Sequence, residues 1–443
     1  MSDDDDRGKN RTDTPVIRLP EADQEEDAMD SDFAAEGSGR IESHRTGRKK
    51  RLILLLVLTL CTAAVCALLY YLFRPVAYSS YSVIGSTDRT DSNTVKYASY
   101  QNGMIKYSRD GAAALSSDGS TIWNGSYNMQ NPALDICGQY AVAADIGGTD
   151  LYVFNGSDSG TQIETIKPIL MARVAAQGVT AVLTEDSTAD TITLYNPYDS
   201  GTSVIGEIPI NIVSDGIPVN FAISPDGTKI ALNVILSSGG TITDNLTFYS
   251  FDEIGETYNN HIVSTKSYGE TLIGKIQFIS DDISCIFTSD GFSVFRGSEI
   301  PELKYEVKLD QEIRSIFQTD SCIGVVTENT AAAGNTTSDN TAVQTTEEGT
   351  EEYRIRIYDF SHEKPRHNFT TDFLYEKIQA QGKELYLYSG SECRILTFTG
   401  RLKADLDAGS ELTLFGALQK KNTYFFVNET SIQRIRLTKG AEQ

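Results

Sequence analysis

Apolar and polar residues alternate along most of this chain in short runs, and the runs come in sets. From Gly103 the sequence GMIKYSRDGAAALSSDGSTIWNGSY reads as strand, Arg-Asp-Gly turn, strand, Ser-Asp-Gly turn, strand. Asp-Gly supplies the residue with positive φ that a tight hairpin needs. A second copy, ELYLYSGSECRILTFTGRLKADL, starts at Glu384. A third, VNFAISPDGTKIALNVIL, turns at Ser224-Pro225-Asp226-Gly227 and continues through NLTFYSF and HIVSTKSY. Aligning the sets places the third strand of each at 112–115, 150–154, 191–195, 245–250, 292–295, 354–360, 393–398 and 431–437. No apolar stripe of helical period follows residue 75, so the region is expected to be almost free of helix.

The repeat is mostly about 38 to 55 residues long, in or near the range of propeller blades. One longer gap contains 329–352, NTAAAGNTTSDNTAVQTTEEGTEE, which has almost no large apolar residue and reads as a disordered insertion. Removing it restores the period. Four antiparallel strands per unit, with no helix between them, predict an all-β fold: a β-propeller of eight four-stranded blades, with seven as the alternative. A β-sandwich would not keep the repeat for eight units, and a solenoid would need a shorter one. The last unit supplies three strands before the sequence runs out, which would leave an unpaired edge. The β-rich stretch 78–84, YSSYSVI, has no partner in the first unit. It is therefore expected to pair with 431–437 and close the ring, placing the ring within a few residues of the apolar segment that precedes it.

That segment, 52–73, breaks the pattern: LILLLVLTLCTAAVCALLYYLF has 22 residues without charge, Pro or Gly. As a helix it would extend roughly 33 Å, enough to cross a hydrocarbon core of about 30 Å. Arg45, Arg48, Lys49, Lys50 and Arg51 crowd one end and only Arg74 stands at the other. The positive-inside rule then places 1–51 in the cytoplasm and 74–443 outside, with the basic cluster also attracting anionic lipid. A cleaved signal peptide is the alternative. The apolar run is too long for one, and cleavage near Ala67 would leave LLYYLF at the new terminus.

Charge sharpens this division. Residues 1–44 hold fourteen acidic against five basic residues and few large apolar ones, the composition of a disordered tail. Within it, TPVIRLP at 14–20 has the character of a short docking motif, and Thr12, Thr14 and Thr46 are exposed candidates for phosphorylation. Residues 74–443 carry 28 basic and 47 acidic residues, a formal charge of −19, which argues against nucleic acid as a partner.

Two resemblances follow from the quoted residues. The stretch 103–127, with Asp118-Gly119 and Ile122-Trp123, resembles the repeat of pyrroloquinoline-quinone-type propellers. The Ser224-Pro225-Asp226-Gly227 turn is similar to that of WD40-like and TolB-like propellers. The whole plan resembles a family of uncharacterised single-pass propeller proteins of Gram-positive bacteria, and that resemblance implies a fold without an activity.

Candidate chemistry is sparse. A quinone cofactor would need a stacking Trp, calcium-binding carboxylates and often adjacent cysteines. Here Trp123 is the single Trp, at a packing position of the repeat, and no Cys-Cys pair occurs. His362 and His367 flank Lys364-Pro365-Arg366 in a polar turn, and His261 stands apart, so converging metal ligands are not expected. Asp281-Asp282 lacks the periodicity of a calcium loop. Cys285 and Cys322 align at one strand of consecutive units, so they, with Cys137 and Cys393, are expected to be free thiols packed between blades. No catalytic, cofactor-binding or metal-binding residue is assigned. The expectation is a non-catalytic module that binds protein, peptide or cell-envelope ligands. The alternative is a carbohydrate-active hydrolase or lyase using loop carboxylates.

Overall fold

The computed structural model describes residues 53–66, 77–92, 94–198, 203–329 and 352–439. The chain divides into two units, 1–74 and 75–443.

In the first unit, 53–66 form a helix with exposed Leu, Ile and Val side chains. The hydroxyls of Thr59 and Thr62 donate to the carbonyls of Leu56 and Thr59, each at 2.9 Å, so these polar groups are satisfied by the helix itself. Among the described residues no helix is long and apolar enough to cross a membrane. Residue 52 and residues 67–73 of the expected span lie outside the described residues. So do the acidic tail, the 14–20 motif, the threonines and the cluster Arg45, Arg48, Lys49, Lys50 and Arg51.

The second unit is an eight-bladed β-propeller. Its blades cover 96–126, 132–164, 169–211, 217–269, 273–308, 315–371, 377–407 and 412–438, and each is a four-stranded antiparallel sheet. All eight expected third strands are third strands. Among the described residues of this unit, helix is limited to two single turns, Gly255–Thr257 and Asn259–His261. The Asp-Gly turns work as the sequence implies. Gly119 (φ +84°) and Gly227 (φ +71°) take left-handed conformations that side chains rarely adopt. Beside them the Asp118 carboxylate accepts from the Ser120 amide at 3.0 Å, and the Asp226 carboxylate from the Thr228 amide at 3.1 Å.

The eighth blade draws its outermost strand from the start of the unit. Ser80–Asp88 pairs antiparallel with Ser431–Thr438, from Ser80 opposite Thr438 to Asp88 opposite Ser431. This is the expected closure, shifted four residues toward the C-terminus at its end. The shift has a local cause, because a bulge between Val83 and Gly85 lets the strand continue through Gly85–Asp88. Tyr78 leaves the ladder and bridges Ala404 of blade 7 instead.

The core lies between blades. Trp123 of blade 1 stacks on Phe154 of blade 2, with ring centroids 4.6 Å apart and planes 14° apart, so packing occupies the one Trp. Cys285, Cys322 and Cys393 are buried free thiols and Cys137 is half-buried. Cys285 packs among Ile323 and Tyr358 of the next blade, and Cys322 does the same one blade further on, with Leu385 and Leu396. The insertion between blade 6's second and third strands does not interrupt their ladder. Glu328 pairs with Tyr353, and the Asn329 amide donates to the Glu352 carbonyl at 2.8 Å. Residues 330–351, on which the expectation of disorder falls, lie outside the described residues.

Candidate functional site

Strand order assigns every loop to one of two faces. Within a blade the antiparallel strands follow one another from the channel outward, so the turn between strands two and three lies on the face where the chain crosses to the next blade. We call this the top face. The other turns, and both Ser80 and Thr438, lie at the bottom.

Five of the eight inner strands line a cavity of about 460 Å³ in the channel. Amides dominate its polar wall: Gln101, Gln277, Gln318, Gln379 and Gln381, with Phe287, Phe317, Tyr386, Phe415 and Phe425 between them. Gln381 is engaged, accepting from the Ala417 amide at 2.9 Å. The buried carbonyl oxygen of Gln318 has no partner. Each amide offers both donors and acceptors, so such a wall suits a polar chain or main-chain groups.

Lys275 connects this wall to a charged group across the channel. Asp135, Arg173 and Lys275 come from the inner strands of blades 2, 3 and 5. Burial raises the Asp135 carboxyl above the usual range. Arg173, backbone bonds from Val174 and Ile136, and Lys275 act against that rise without cancelling it. Lys275 is shifted the other way: desolvation lowers it first, then repulsion from Arg173, with Asp135 opposing. Arg173 donates to the side-chain Oδ1 of Asn220 at 3.4 Å and to the backbone carbonyl of its neighbour Ala172 at 3.1 Å. The Val174 amide donates to Asp135 at 2.9 Å. Arg173 and Lys275 thus place two cations beside Asp135 in a domain of opposite charge. That arrangement attracts an anionic group.

A second hollow, of about 400 Å³, opens toward the top face and shares Lys275, Phe287 and Ile316 with the channel cavity. Its wall also carries Leu272 and Ile313, with Arg314 and Glu312 beside them. Other crossings between blades also expose large apolar side chains on this face: Ile166, Val213 and Leu374. The amide-lined channel and the hollow beside Leu272 and Ile313 are therefore continuous through Lys275, Phe287 and Ile316.

The residues singled out in the sequence are not brought together. His261 stacks on Phe251 at 5.0 Å, and His362 is exposed with Nδ1 3.4 Å from Asp359. His367 is not in the polar turn as expected; it begins the outer strand His367–Thr371, because it can pair with Ile357. Asp281 accepts from the Asp226 amide at 2.8 Å, and Asp282 from the Ser280 hydroxyl at 2.7 Å, which accounts for that acidic pair structurally. Among the described residues no cluster of His, Cys, Asp or Glu could hold a metal ion. The channel group was missed by sequence reasoning. Its signal was a charged or amide residue within an inner strand, as in PALDIC, ILMARV and SIFQT.

These features place the protein among closed β-propellers with a lined channel. The chain belongs to a family of unknown function (DUF5711), whose model matches residues 74–437. A search of curated protein sequences finds no match. Among solved structures the chain is similar to Sqt1 of Saccharomyces cerevisiae, at 11% identity and TM-score 0.51, covering 81% of this chain and 99% of that one. It is also similar to BamB of Moraxella catarrhalis, at 12% identity and TM-score 0.48, covering 81% and 100%. At these identities the likeness concerns the fold.

Proposed function

We propose that this chain is a membrane-anchored, extracytoplasmic propeller that acts as a non-catalytic binding or scaffolding module. Its ligand would be an extended protein or peptide segment with apolar side chains and a carboxylate. The observation that carries this reading is the continuity of the apolar top-face hollow with the amide-lined channel through Lys275. Main-chain groups of a ligand would meet the glutamines, its carboxylate would meet Arg173 and Lys275, and its apolar side chains would meet Leu272 and Ile313. The carbohydrate-active alternative needs two carboxylates roughly 5 to 9.5 Å apart. The groups that act most strongly on Asp135 are the cations Arg173 and Lys275 and two backbone amides.

The anchor is supported by the sequence, through the uncharged run 52–73 and the excess of basic residues before it. Photo-crosslinking in cells, with a photoreactive residue at Leu272 or Gln318, tests the binding site. A discrete protein adduct that disappears in Lys275→Glu is expected. No adduct, or one also formed from Arg401 on the bottom face, counts against it. Protease added to wall-stripped cells should digest 77–443 and spare an epitope in 1–40; the reverse pattern would refute the anchored topology.

A further inference from the structure

Acidic residues lie on both faces of the ring, in bottom turns at Asp226, Asp281, Asp282 and Asp320 as well as in the top-face loops, and one corner of the bottom departs from this. Top-face loops carry acidic residues at Glu185, Asp215, Glu270, Asp310, Glu312 and Glu376. The bottom of blades 7 and 8 is basic. Lys383 lies in a first turn, Arg401 in a third, Lys420 and Lys421 in the next blade's first turn, Arg436 near the end of the last strand, and Lys439 just past it. All six are exposed. None has an ion-pair partner among the described residues. The one carboxylate in these turns, Glu384, is already engaged by Lys403 and by the Tyr424 hydroxyl.

Hydrogen bonds join the turns into one corner. The Phe398 amide donates to the Lys383 carbonyl at 3.1 Å, and the Thr397 amide to Arg401 at 2.9 Å. The Leu437 amide donates to Asn422 at 3.0 Å. The same corner receives the start of the chain's ring: the Tyr78 amide donates to the Lys403 carbonyl at 2.8 Å, and the Asn422 side chain to the Tyr78 hydroxyl at 3.0 Å. In sequence, only residues 74–76 separate the apolar run from Ala77.

We propose that this basic corner is a lipid-docking surface that rests on the anionic headgroups of a bilayer. Within one corner of a domain of formal charge −19, six exposed cations have no ion-pair partner among the described residues. They are complementary to a surface of phosphates, and attraction of this kind acts within about a Debye length, roughly 8 Å at physiological salt. Because the ring's first residues are bonded into the same corner, a headgroup contact there would orient the disc with its top face outward. The proposal rests on the membrane-anchored reading for the bilayer itself.

The test uses the full chain with vesicles of phosphatidylcholine, with or without phosphatidylglycerol. A membrane-impermeant amine reagent is applied, and modification of Lys383, Lys420, Lys421 and Lys439 is read by mass spectrometry relative to Lys308 and Lys167 on the top half of the disc. Docking predicts a several-fold fall in the corner lysines with phosphatidylglycerol, reversed by high salt and absent in Lys420→Glu/Lys421→Glu. Equal labelling in both lipids overturns the proposal, as does equal protection in both. An alkaline wash of the same vesicles separates the two readings. If the protein washes off, the anchor fails, while the labelling ratio still decides the corner.

Discussion

Ser80 and Thr438 lie opposite each other with their hydroxyl oxygens 3.1 Å apart, although 358 residues separate them in sequence. Between them the two ends of the ring share a full ladder. Beside that ladder Tyr81 meets Phe426 edge-on at 5.9 Å, so closure has a side-chain component as well. Deleting 78–88 should lower the melting temperature of the full chain by about 5 °C or more and promote aggregation through the exposed edge. Tyr81→Ala should cost about 1 kcal/mol for the ring pair, besides the buried area lost. Unchanged melting and a monodisperse profile for the deletion would sink the closure account.

Trp123 is the sole Trp, so its fluorescence reports the seam between blades 1 and 2. Its stacking on Phe154 and its near-complete burial predict that Trp123→Ala costs about 3 to 5 kcal/mol in denaturant unfolding. A loss below about 1 kcal/mol would mean the seam can collapse around the cavity.

Lys229 is almost fully buried, and its ammonium sits 3.0 Å from the Asp226 carboxylate. Burial alone would raise the Asp226 carboxyl, but bonds from Ser224, Thr228 and Lys229 outweigh it and hold the group below its ordinary value. A carboxylate depressed in the folded state contributes stability above its unfolded value, near 4, and that contribution disappears as pH falls through the lower folded value. Unfolding titrations should therefore show acid sensitivity below about pH 4. Asp226→Asn should weaken that acid dependence and, by stranding the Lys229 charge, destabilise at neutral pH by about 3 kcal/mol. An unchanged acid limb in Asp226→Asn would remove Asp226 as its source.

Much of the ring was legible because its turns are local. Asp118-Gly119 and Asp226-Gly227 announce hairpins from two adjacent residues, and the recurrence of strand and turn along the chain reinforces that signal. Closure was legible too, since an unpaired strand at each end of a repeat has one economical solution. The register was not, because the bulge at Ile84 depends on backbone geometry that no single residue announces. The channel was the least legible. Asp135, Arg173 and Lys275 are 38 and 102 residues apart in sequence and meet only because their strands adjoin the same axis. Nor does an exposed Ile166 or Leu374 differ, in sequence, from any loop residue.

Thiol chemistry gives a further check on packing. Burial pushes the Cys285 and Cys393 thiols well above their ordinary range and raises Cys137 to about 11, where Asp135 adds to the effect. Since the thiolate is the reactive form, iodoacetamide at pH 7.5 should leave Cys285, Cys322 and Cys393 unmodified in native protein and label all three after denaturation. Rapid native labelling of Cys285 would show that the blade 5–6 seam opens.

The last prediction concerns 330–351. The second and third strands of blade 6 pair from Cys322 opposite Asp359 to Glu328 opposite Tyr353, and the ladder ends in the bond from the Asn329 amide to the Glu352 carbonyl. The hairpin is thus complete without the insertion, and a short turn could join residues 329 and 352. Loop-closure entropy changes by only about 0.6 kcal/mol for each doubling of loop length, so shortening the connection should stabilise slightly if it does anything. Replacing 330–351 by Asn-Gly should therefore leave the melting temperature within about 2 °C of the parent. Residues 329 and 352, between which the insertion lies in sequence, are on the top face, so the same variant also separates stability from binding. Photo-crosslinking from Leu272 that persists in the variant would place the ligand on the rim and channel alone. Loss of the adduct at unchanged stability would make the insertion part of the binding surface. A fall of many degrees would instead show that 330–351 pack against the ring, contrary to what their composition implies.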